Sequence, residues 1–330
     1  MGCGRGPGQI FWPRAGWPHQ GHWTGRVSQA GGGAPSWDGP SAGTVREFPG
    51  YMTVTAGWAS WSGQLPEALR AARSRWGVRE GQPFCPGGTN AWVAPAAGPD
   101  GQALVLKLIR PGFEAEHEVE GLRRWDGRAT ARLIAADDFR EVRAILLERC
   151  LPGTALAALP ELEQDPVISS LLRRIWIDPG PRHPFRPLAE MCDRWAEEFE
   201  RLPRDQGRLG SGDLVAEGLR LWRELSHQDV GAVLLFTDLH AGNVLAASRE
   251  PWLAIDPKPH VGDPTYDALQ HMLNCPLRLS SDPEGLILRM ADLLDLDAAR
   301  LRLWMFARCV LEQYRSPLLA RVARRLAPRG

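Results

Sequence analysis

The sequence predicts an α+β protein of two lobes, a small β-rich lobe that ends near residue 150 and a larger, mainly helical lobe after it. Two patterns predict this architecture. Short apolar runs separated by turn residues dominate residues 83–148, whereas apolar residues at helical spacing dominate residues 171–311. The dipeptide Pro152-Gly153 lies between the two patterns and places the boundary of the lobes there.

Residues 1–51 precede the small lobe and differ in composition from the rest of the chain. They are rich in glycine and proline and have no periodic apolar pattern, which is typical of a disordered leader. The stretch also contains several tryptophans, which are unusual in a disordered tail. A second interpretation is therefore that translation starts at Met52 and that the preceding stretch is a mis-annotated start.

Residues 52–150 give the small lobe. Apolar spacing predicts a helix over residues 65–76, with Pro66 in its first turn. Residues 83–93 read as strand, glycine turn and strand. The elements expected after them are a buried strand at 103–109, a helix at 114–125, and strands at 131–136 and 144–147.

Residues 151–330 give the helical lobe. Helical periodicity is found at 171–177, 188–202, 214–225, 286–294 and 298–311. A helix should also begin at Pro264, with Asp263 as its N-cap. Three short apolar runs, at 233–236, 243–246 and 252–255, predict a small β segment inside this lobe.

The composition excludes several classes of function. The 39 basic and 39 acidic residues cancel, so the chain has no electrostatic signature of a nucleic-acid or membrane-surface partner. No apolar run approaches the roughly 20 residues needed to span a bilayer. The six cysteines are scattered and form neither a disulfide framework nor a metal-ligand motif, which indicates a reducing cytoplasm.

The basic residues are strongly skewed towards arginine. Only two of the 39 are lysines, Lys107 and Lys258. Arginine presents a wide planar fork, whereas lysine presents a compact charge on a thin stem. Lys107 lies on an apolar strand, where an unpaired ammonium would be costly, so a functional partner is expected for it.

A loop and a strand end in the helical lobe carry side chains suited to phosphoryl transfer. Asp238 follows an apolar strand, and Asn243 lies five residues later, the interval that separates base and metal ligand in a kinase catalytic loop. Asp256 directly follows the apolar strand at 252–255, which is a good position for a Mg²⁺ ligand. A β-hairpin between the two aspartates should bring them to one end of the same small sheet.

At this point the sequence resembles the aminoglycoside phosphotransferase superfamily, and more narrowly its streptomycin 6-kinase and hydroxyurea phosphotransferase branch. The motifs that carry the resemblance run in family order from about 82 to about 310, and they occupy residues 86–93, 105–107, 117–118, 124–127, 146–149, 238–243, 254–258 and 262–267. The resemblance implies a two-lobed protein-kinase-like fold and phosphoryl transfer from ATP, with Mg²⁺, to a hydroxyl group of a small molecule.

The resemblance also implies a role for each matching residue. Asp238 would be the catalytic base, and Asn243 and Asp256 would hold Mg²⁺. Lys107 would contact the α- and β-phosphates, with Glu118 paired to it. The residues that would touch the rest of the nucleotide are Leu147 and Glu148 as the adenine hinge and Gly87 and Gly88 as the phosphate turn.

Other residues near these motifs have simpler interpretations. His240 and Asp267 are expected to order the loop by hydrogen bonds, and Lys258 remains ambiguous between structure and function. Members of the wider superfamily commonly carry His-Gly before the base, where this chain has Phe236-Thr237.

Three functions remain open on the sequence. The first is a kinase for an aminoglycoside, whose positive charges would need an acidic cleft. Candidates for that cleft lie within residues 190–200 and at Asp263 and Asp267. The second is a kinase for an unrelated metabolite. The third, motivated by Phe236-Thr237, is a nucleotide-binding pseudokinase. The sequence makes no prediction of oligomeric state.

Overall fold

The computed structural model describes residues 51–84, 90–113, 115–202 and 212–328. In these residues a five-stranded sheet with two helices forms the first lobe, and helices with two small sheets form the second. The two-lobed α+β architecture predicted from the sequence is confirmed.

All pairs in the five-stranded sheet are antiparallel, and its strand order is β1-β2-β3-β5-β4. The elements of this lobe are α1 Tyr51–Trp76, β1 Arg79–Glu80, β2 Ala91–Ala97, β3 Ala103–Ile109, α2 Glu118–Trp125, β4 Leu133–Phe139 and β5 Val142–Glu148.

The predicted starts of both helices in this lobe are wrong. Helix α1 begins fourteen residues earlier than expected, at Tyr51 instead of Leu65, so Pro66 lies inside it and not in its first turn. Helix α2 begins at Glu118, because residues 115–117 form a turn ahead of it. Helix ends are set by capping and packing as well as by periodicity, which explains the discrepancy.

Strand β3 divides its side chains between two helices, because successive side chains of a strand point to opposite faces. Leu104, Leu106 and Leu108 pack in the cluster that α1 covers. Ile109 packs on the opposite face, with Val119 and Leu122 of α2. This alternation turns the side chain of residue 107, which lies on the α2 face, towards that helix.

The second lobe is mainly helical, as predicted. Its elements are α3 Glu161–Ile175, α4 Leu188–Arg201, α5 Gly212–His227, β6 Val233–Leu235, β7 Val244–Ala246, β8 Trp252–Ala254, β9 His260–Gly262, α6 Pro264–Leu273, α7 Pro276–Ser281, α8 Pro283–Leu294, α9 Ala298–Glu312 and α10 Pro317–Leu326. Its core includes the edge-to-face rings of Trp222, Trp304 and Tyr266, at centroid distances of 5.3–5.9 Å.

The four short strands of this lobe form two separate sheets. Strands β7 and β8 make the predicted hairpin, but β6 pairs with β9 and not with either of them. The expectation of one small sheet is therefore wrong, since it overlooked the strand at residues 260–262. The two sheets nevertheless meet, because the backbone N–H of Lys258 donates to the carbonyl of Phe236 at 3.0 Å.

Among the described residues, no helix combines the length and the apolar character needed to cross a bilayer.

Candidate active site

Lys107 and Glu118 meet between the sheet and α2. The ammonium of Lys107 lies 2.6 Å and 2.8 Å from the two carboxylate oxygens of Glu118, and both side chains are buried. The same ammonium lies 2.6 Å from Oδ1 of Asp256, which belongs to the other lobe. The predicted pairing of Lys107 with Glu118 is confirmed, and the ammonium bridges the two lobes.

Opposing effects set the charge of this group. Burial lowers the pKa of Lys107, but the carboxylates of Asp256 and Glu118 outweigh burial, and the net pKa is raised. Burial also raises the pKa of Glu118, against the attraction of Lys107. The ammonium of Lys107 therefore stays charged. The side chain of Asp256, which shares that ammonium with Glu118, is 43% exposed.

Hydrogen bonds to the carboxylate of Asp267 hold the loop that carries Asp238. The backbone N–H groups of Phe236 and Thr237 donate to the two carboxylate oxygens of Asp267 at 2.9 Å and 2.6 Å. Trp176 Nε1 adds a third bond at 3.1 Å. Burial raises the pKa of Asp267 to about 6, although these donors favour the charged form. The predicted role of Asp267 as a loop brace is confirmed.

Thr237 occupies the left-handed region of backbone space, with φ of 56°. Glycine adopts this conformation without the steric cost that a β-branched residue carries. In addition to its N–H bond to Asp267, Thr237 donates its hydroxyl to the carbonyl of Lys258 in a short hydrogen bond. These contacts hold threonine in the backbone conformation that glycine would adopt, so the residue before Asp238 is not by itself a sign of an inactive loop.

Asn243 connects the two aspartates. Its amide nitrogen donates to the backbone carbonyl of Asp238 at 3.0 Å, and its own backbone carbonyl accepts from Ile255 at 2.9 Å. His240 orders the same loop by accepting a bond from the N–H of Gly242, as predicted. The loop thus brings Asn243 beside the residue that precedes Asp256.

The donor set at this point fits Mg²⁺. The side-chain nitrogen of Asn243 is hydrogen-bonded to the carbonyl of Asp238, so the side-chain oxygen of Asn243 is the atom that can bind a cation. Asp256 adds a carboxylate, and its φ of 63° gives the chain a sharp bend there. Carboxylate and amide oxygens are hard ligands of the kind that Mg²⁺ prefers.

Lys258, which the sequence left ambiguous, lies at the candidate base. Its ammonium is 2.6 Å from Oδ2 of Asp238, and the exposed fractions of the two side chains are 23% and 15%. Both lysines of the chain are therefore at the site, one on each side of the cleft. The scarcity of lysine in the sequence was the signal that could have identified the second.

The remaining predicted nucleotide residues lie in or near the sheet. Leu147 and Glu148 end strand β5, where the chain leaves for the second lobe. The side chain of Glu148 binds Arg249 at 2.9 Å, and its backbone N–H donates to the carbonyl of Arg132 at 2.9 Å. Gly87 and Gly88 lie outside the described residues.

The acids expected to form a cationic-substrate cleft have partners in the protein. Asp263 caps α6, as predicted, and also binds Arg300 at 2.7 Å. The carboxylate of Asp267 accepts hydrogen bonds from the loop before Asp238 and from Trp176. The four glutamates of α4 that lie within residues 190–200 pair with arginines, and Asp193 pairs with His227; the arginine contacts are Glu190–Arg186, Glu197–Arg201, Glu198–Arg194 and Glu200–Arg223. These residues do not form the unneutralised acidic patch that was expected.

One buried group with metal-ligand chemistry lies away from this site. Asp165, His271 and Cys275 place one ligand atom each within 4.8 Å of one another, which the cysteine spacing had not suggested. Arg278 and Arg289 also bind the carboxylate of Asp165, at 2.7 Å and 2.6 Å. Two guanidinium groups on one carboxylate oppose a metal cation there, so we interpret the group as a buried ion-pair network.

Sequence reasoning missed one packing contact on α2, the helix that carries Glu118. Gly121 of α2 lies so close to the loop after Asp256 that an added Cβ would stand 2.9 Å from Cζ3 of Trp125 and closer still to Cγ of Pro259. A glycine inside a helix is the only sequence signal of such an approach, and it does not say what approaches.

A model of the aminoglycoside/hydroxyurea antibiotic resistance kinase family matches residues 75–316. Hydroxyurea phosphotransferase of Kitasatospora aureofaciens is 37% identical over 216 residues, which cover 64% of this chain and 61% of that protein. Streptomycin 6-kinase of Streptomyces griseus is 33% identical over 269 residues, which cover 76% of this chain and 82% of that protein. The chain thus aligns with less than two thirds of the first relative.

Solved structures share the fold at low sequence identity. An amicoumacin kinase in complex with AMP-PNP and Ca²⁺ aligns with a TM-score of 0.59 at 14% identity, covering 84% of this chain and 95% of the other. A thermostable mutant of an aminoglycoside phosphotransferase with ADP and hygromycin B gives 0.53 at 16%, with coverage of 78% and 95%. Together with the match over residues 75–316, these findings show that the chain belongs to the aminoglycoside/hydroxyurea antibiotic resistance kinase family.

Proposed function

We propose that the protein is an ATP-dependent phosphotransferase that moves the γ-phosphoryl group to a hydroxyl group of a small molecule. The observation that carries the proposal is the ammonium of Lys107, held at 2.6 Å by both Glu118 and Asp256 across the cleft. A buried lysine fixed by one acid and shared with a second, beside an Asp-x4-Asn loop, is an arrangement suited to binding nucleotide phosphates.

In this proposal each residue has one task. Asp238 accepts the proton of the substrate hydroxyl while the oxygen of that hydroxyl forms a bond to the γ-phosphorus. The bond between the γ-phosphorus and the oxygen that bridges it to the β-phosphorus breaks, and ADP is released. Lys107 contacts the α- and β-phosphates. Asn243 and Asp256 would hold Mg²⁺, which neutralises phosphate charge when bound.

The contacts to the adenine ring and the remaining phosphate contacts are assigned by the family resemblance alone. The backbone of Leu147 and Glu148 would meet the adenine ring, and Gly87 and Gly88 would approach the phosphates. The cytoplasm supplies ATP, and the free thiols of the four described cysteines (Cys150, Cys192, Cys275 and Cys309) suit its reducing conditions.

For the substrate we propose an aminoglycoside of the streptomycin type, because the relative named for streptomycin aligns over the larger share of both chains. A small uncharged substrate such as hydroxyurea is the second candidate. It is favoured by the pairing of four α4 glutamates with arginines, which leaves those glutamates without an excess of negative charge for a polycation.

The test is ATP consumption by the purified protein with Mg²⁺, against a panel of aminoglycosides, hydroxyurea and unrelated hydroxyl compounds. Mass spectrometry should identify a phosphorylated product. Asp238→Ala should bind nucleotide normally but turn over roughly 10²–10⁴-fold more slowly, since positioned bases contribute about that much. A loss below about tenfold on the true substrate would remove Asp238 from its proposed role.

A further inference from the structure

Among the described residues, Lys258 is a charged side chain that contacts the candidate base and has no task in the proposed roles. Its ammonium contacts Oδ2 of Asp238 at 2.6 Å, and its side chain is 23% exposed, so it reaches the cleft and is not sealed in the core. Lys107, by contrast, is 7% exposed and is held between Glu118 and Asp256.

The backbone around Lys258 is built to hold this position. Its N–H donates to the carbonyl of Phe236 at 3.0 Å, and its carbonyl accepts from the hydroxyl of Thr237. His260 Nδ1 lies 2.9 Å from the same carbonyl. Two of these partners immediately precede Asp238, so the lysine and the base are fixed to one frame.

Resting on the proposed function, we propose that Lys258 is a further catalytic residue, whose ammonium binds the γ-phosphoryl group during transfer. An ammonium carries three N–H donors, more than its bond to Asp238 uses. Lys258 lies two residues after Asp256 and touches Asp238, so its charge lies beside the proposed base and next in sequence to the proposed metal ligand.

The chemistry of the transfer makes a cation useful there. Negative charge spreads over the oxygens of the moving phosphoryl group, and a preplaced donor stabilises that charge without reorganisation. The same ammonium would orient the carboxylate of Asp238 towards the substrate hydroxyl. No bond to Lys258 forms or breaks, and the proton goes to Asp238 as before.

The alternative is that Lys258 is only a structural counterion. The two interpretations differ in what Lys258→Met should change. In the catalytic interpretation kcat falls by roughly 10²–10³-fold, the loss expected when one donor to developing charge is removed. Affinity for ADP should remain within about threefold, whereas the preference for AMP-PNP over ADP should fall, because only AMP-PNP carries a third phosphoryl group.

Matched variants separate catalysis from stability. Arg278→Met removes a partly buried cation from Asp165, which is not one of the candidate site residues, and the Arg278 side chain is 18% exposed against 23% for Lys258. Arg278→Met should lower the melting temperature and keep kcat. Lys258→Arg keeps the charge and the ion pair, so it should bind AMP-PNP better than Lys258→Met does.

The measurements are initial rates, calorimetric titrations with Mg²⁺·ADP and Mg²⁺·AMP-PNP, and thermal melts of the full chain. A Lys258→Met protein with kcat within about threefold of wild type, or with equal losses of ADP and AMP-PNP affinity, would overturn the proposal. If the wild type turned over no substrate, the proposed function would fail, but the ratio of the two nucleotide affinities would still decide the role of Lys258. If Lys258→Met did not fold, an unchanged affinity ratio and an unchanged rate in Lys258→Gln, which also removes the charge, would overturn the proposal.

Discussion

The close approach of α2 to the second lobe gives a prediction that can be worked from the structure. In Gly121→Ala, the new Cβ would stand 2.9 Å from Cζ3 of Trp125 and closer still to Cγ of Pro259. Carbon atoms pack best at about 3.5–4.0 Å, so the helix or the loop has to move by about 1 Å. Glu118 lies three residues earlier on the same helix face and moves with it.

The expected effect is kinetic. A displacement of about 1 Å at a positioned group can cost roughly 10²-fold in rate, so we expect Gly121→Ala to lose between tenfold and 10²-fold in kcat/KM for ATP. Alanine also stabilises a helix interior by about 1 kcal/mol relative to glycine, which offsets part of the steric cost in a thermal melt. The rate should therefore fall much more than the stability.

Two matched substitutions serve as controls. Gly63→Ala, in α1, places its Cβ in open space, so the rate should be unchanged and the stability slightly higher. Gly218→Ala, in α5, places its Cβ 2.6 Å from Val310 inside the helical lobe, so the melting temperature should fall while kcat is kept. The reasoning is refuted if Gly121→Ala gives the same initial rates as Gly63→Ala.

Two further predictions concern the metal and the pH. Asp256→Asn should weaken the Mg²⁺-dependent part of ATP binding by calorimetry, since it removes a ligand charge; an unchanged Mg²⁺·ATP affinity would exclude Asp256 as a ligand. Burial lowers the pKa of His260 to about 4, so below pH 6.5 the unfolded chain takes up a proton that the folded chain excludes. Between pH 6.5 and pH 4, the unfolding free energy of the wild type should therefore fall by on the order of 3 kcal/mol more than that of His260→Gln. Denaturation curves that show the same loss of unfolding free energy in both proteins would contradict this prediction.

The parts of the fold that the sequence predicted are those governed by local pattern. Strand β3 and helix α4 lie within one residue of their expected bounds, because β3 is a short continuous apolar run and the apolar residues of α4 repeat at helical spacing. The N-cap at Asp263 followed from the Asp-Pro dipeptide. The cost of burying an unpaired ammonium indicated that Lys107 has a partner, and the family resemblance identified that partner as Glu118.

The parts that failed depend on contacts between distant segments. Strand β6 pairs with β9, and nothing in the periodicity of either short run specifies its partner. The close packing of Gly121 on Pro259 joins residues 138 positions apart, and a glycine in a helix does not indicate its neighbour. The glutamates of α4 suggested an acidic cleft for a cationic substrate only because their arginine partners could not be assigned before the fold was known.

The central claim is that the chain positions Lys107 to bind nucleotide phosphates, and Lys107→Arg tests it most directly. The ammonium makes three contacts of 2.6, 2.8 and 2.6 Å with Glu118 and Asp256, a space fitted to a compact charge. Arginine keeps the charge but misplaces its wider fork. Initial rates should fall roughly 10²-fold, with a thermal melt close to wild type. A stable, fully active Lys107→Arg protein would contradict the proposed phosphate contact.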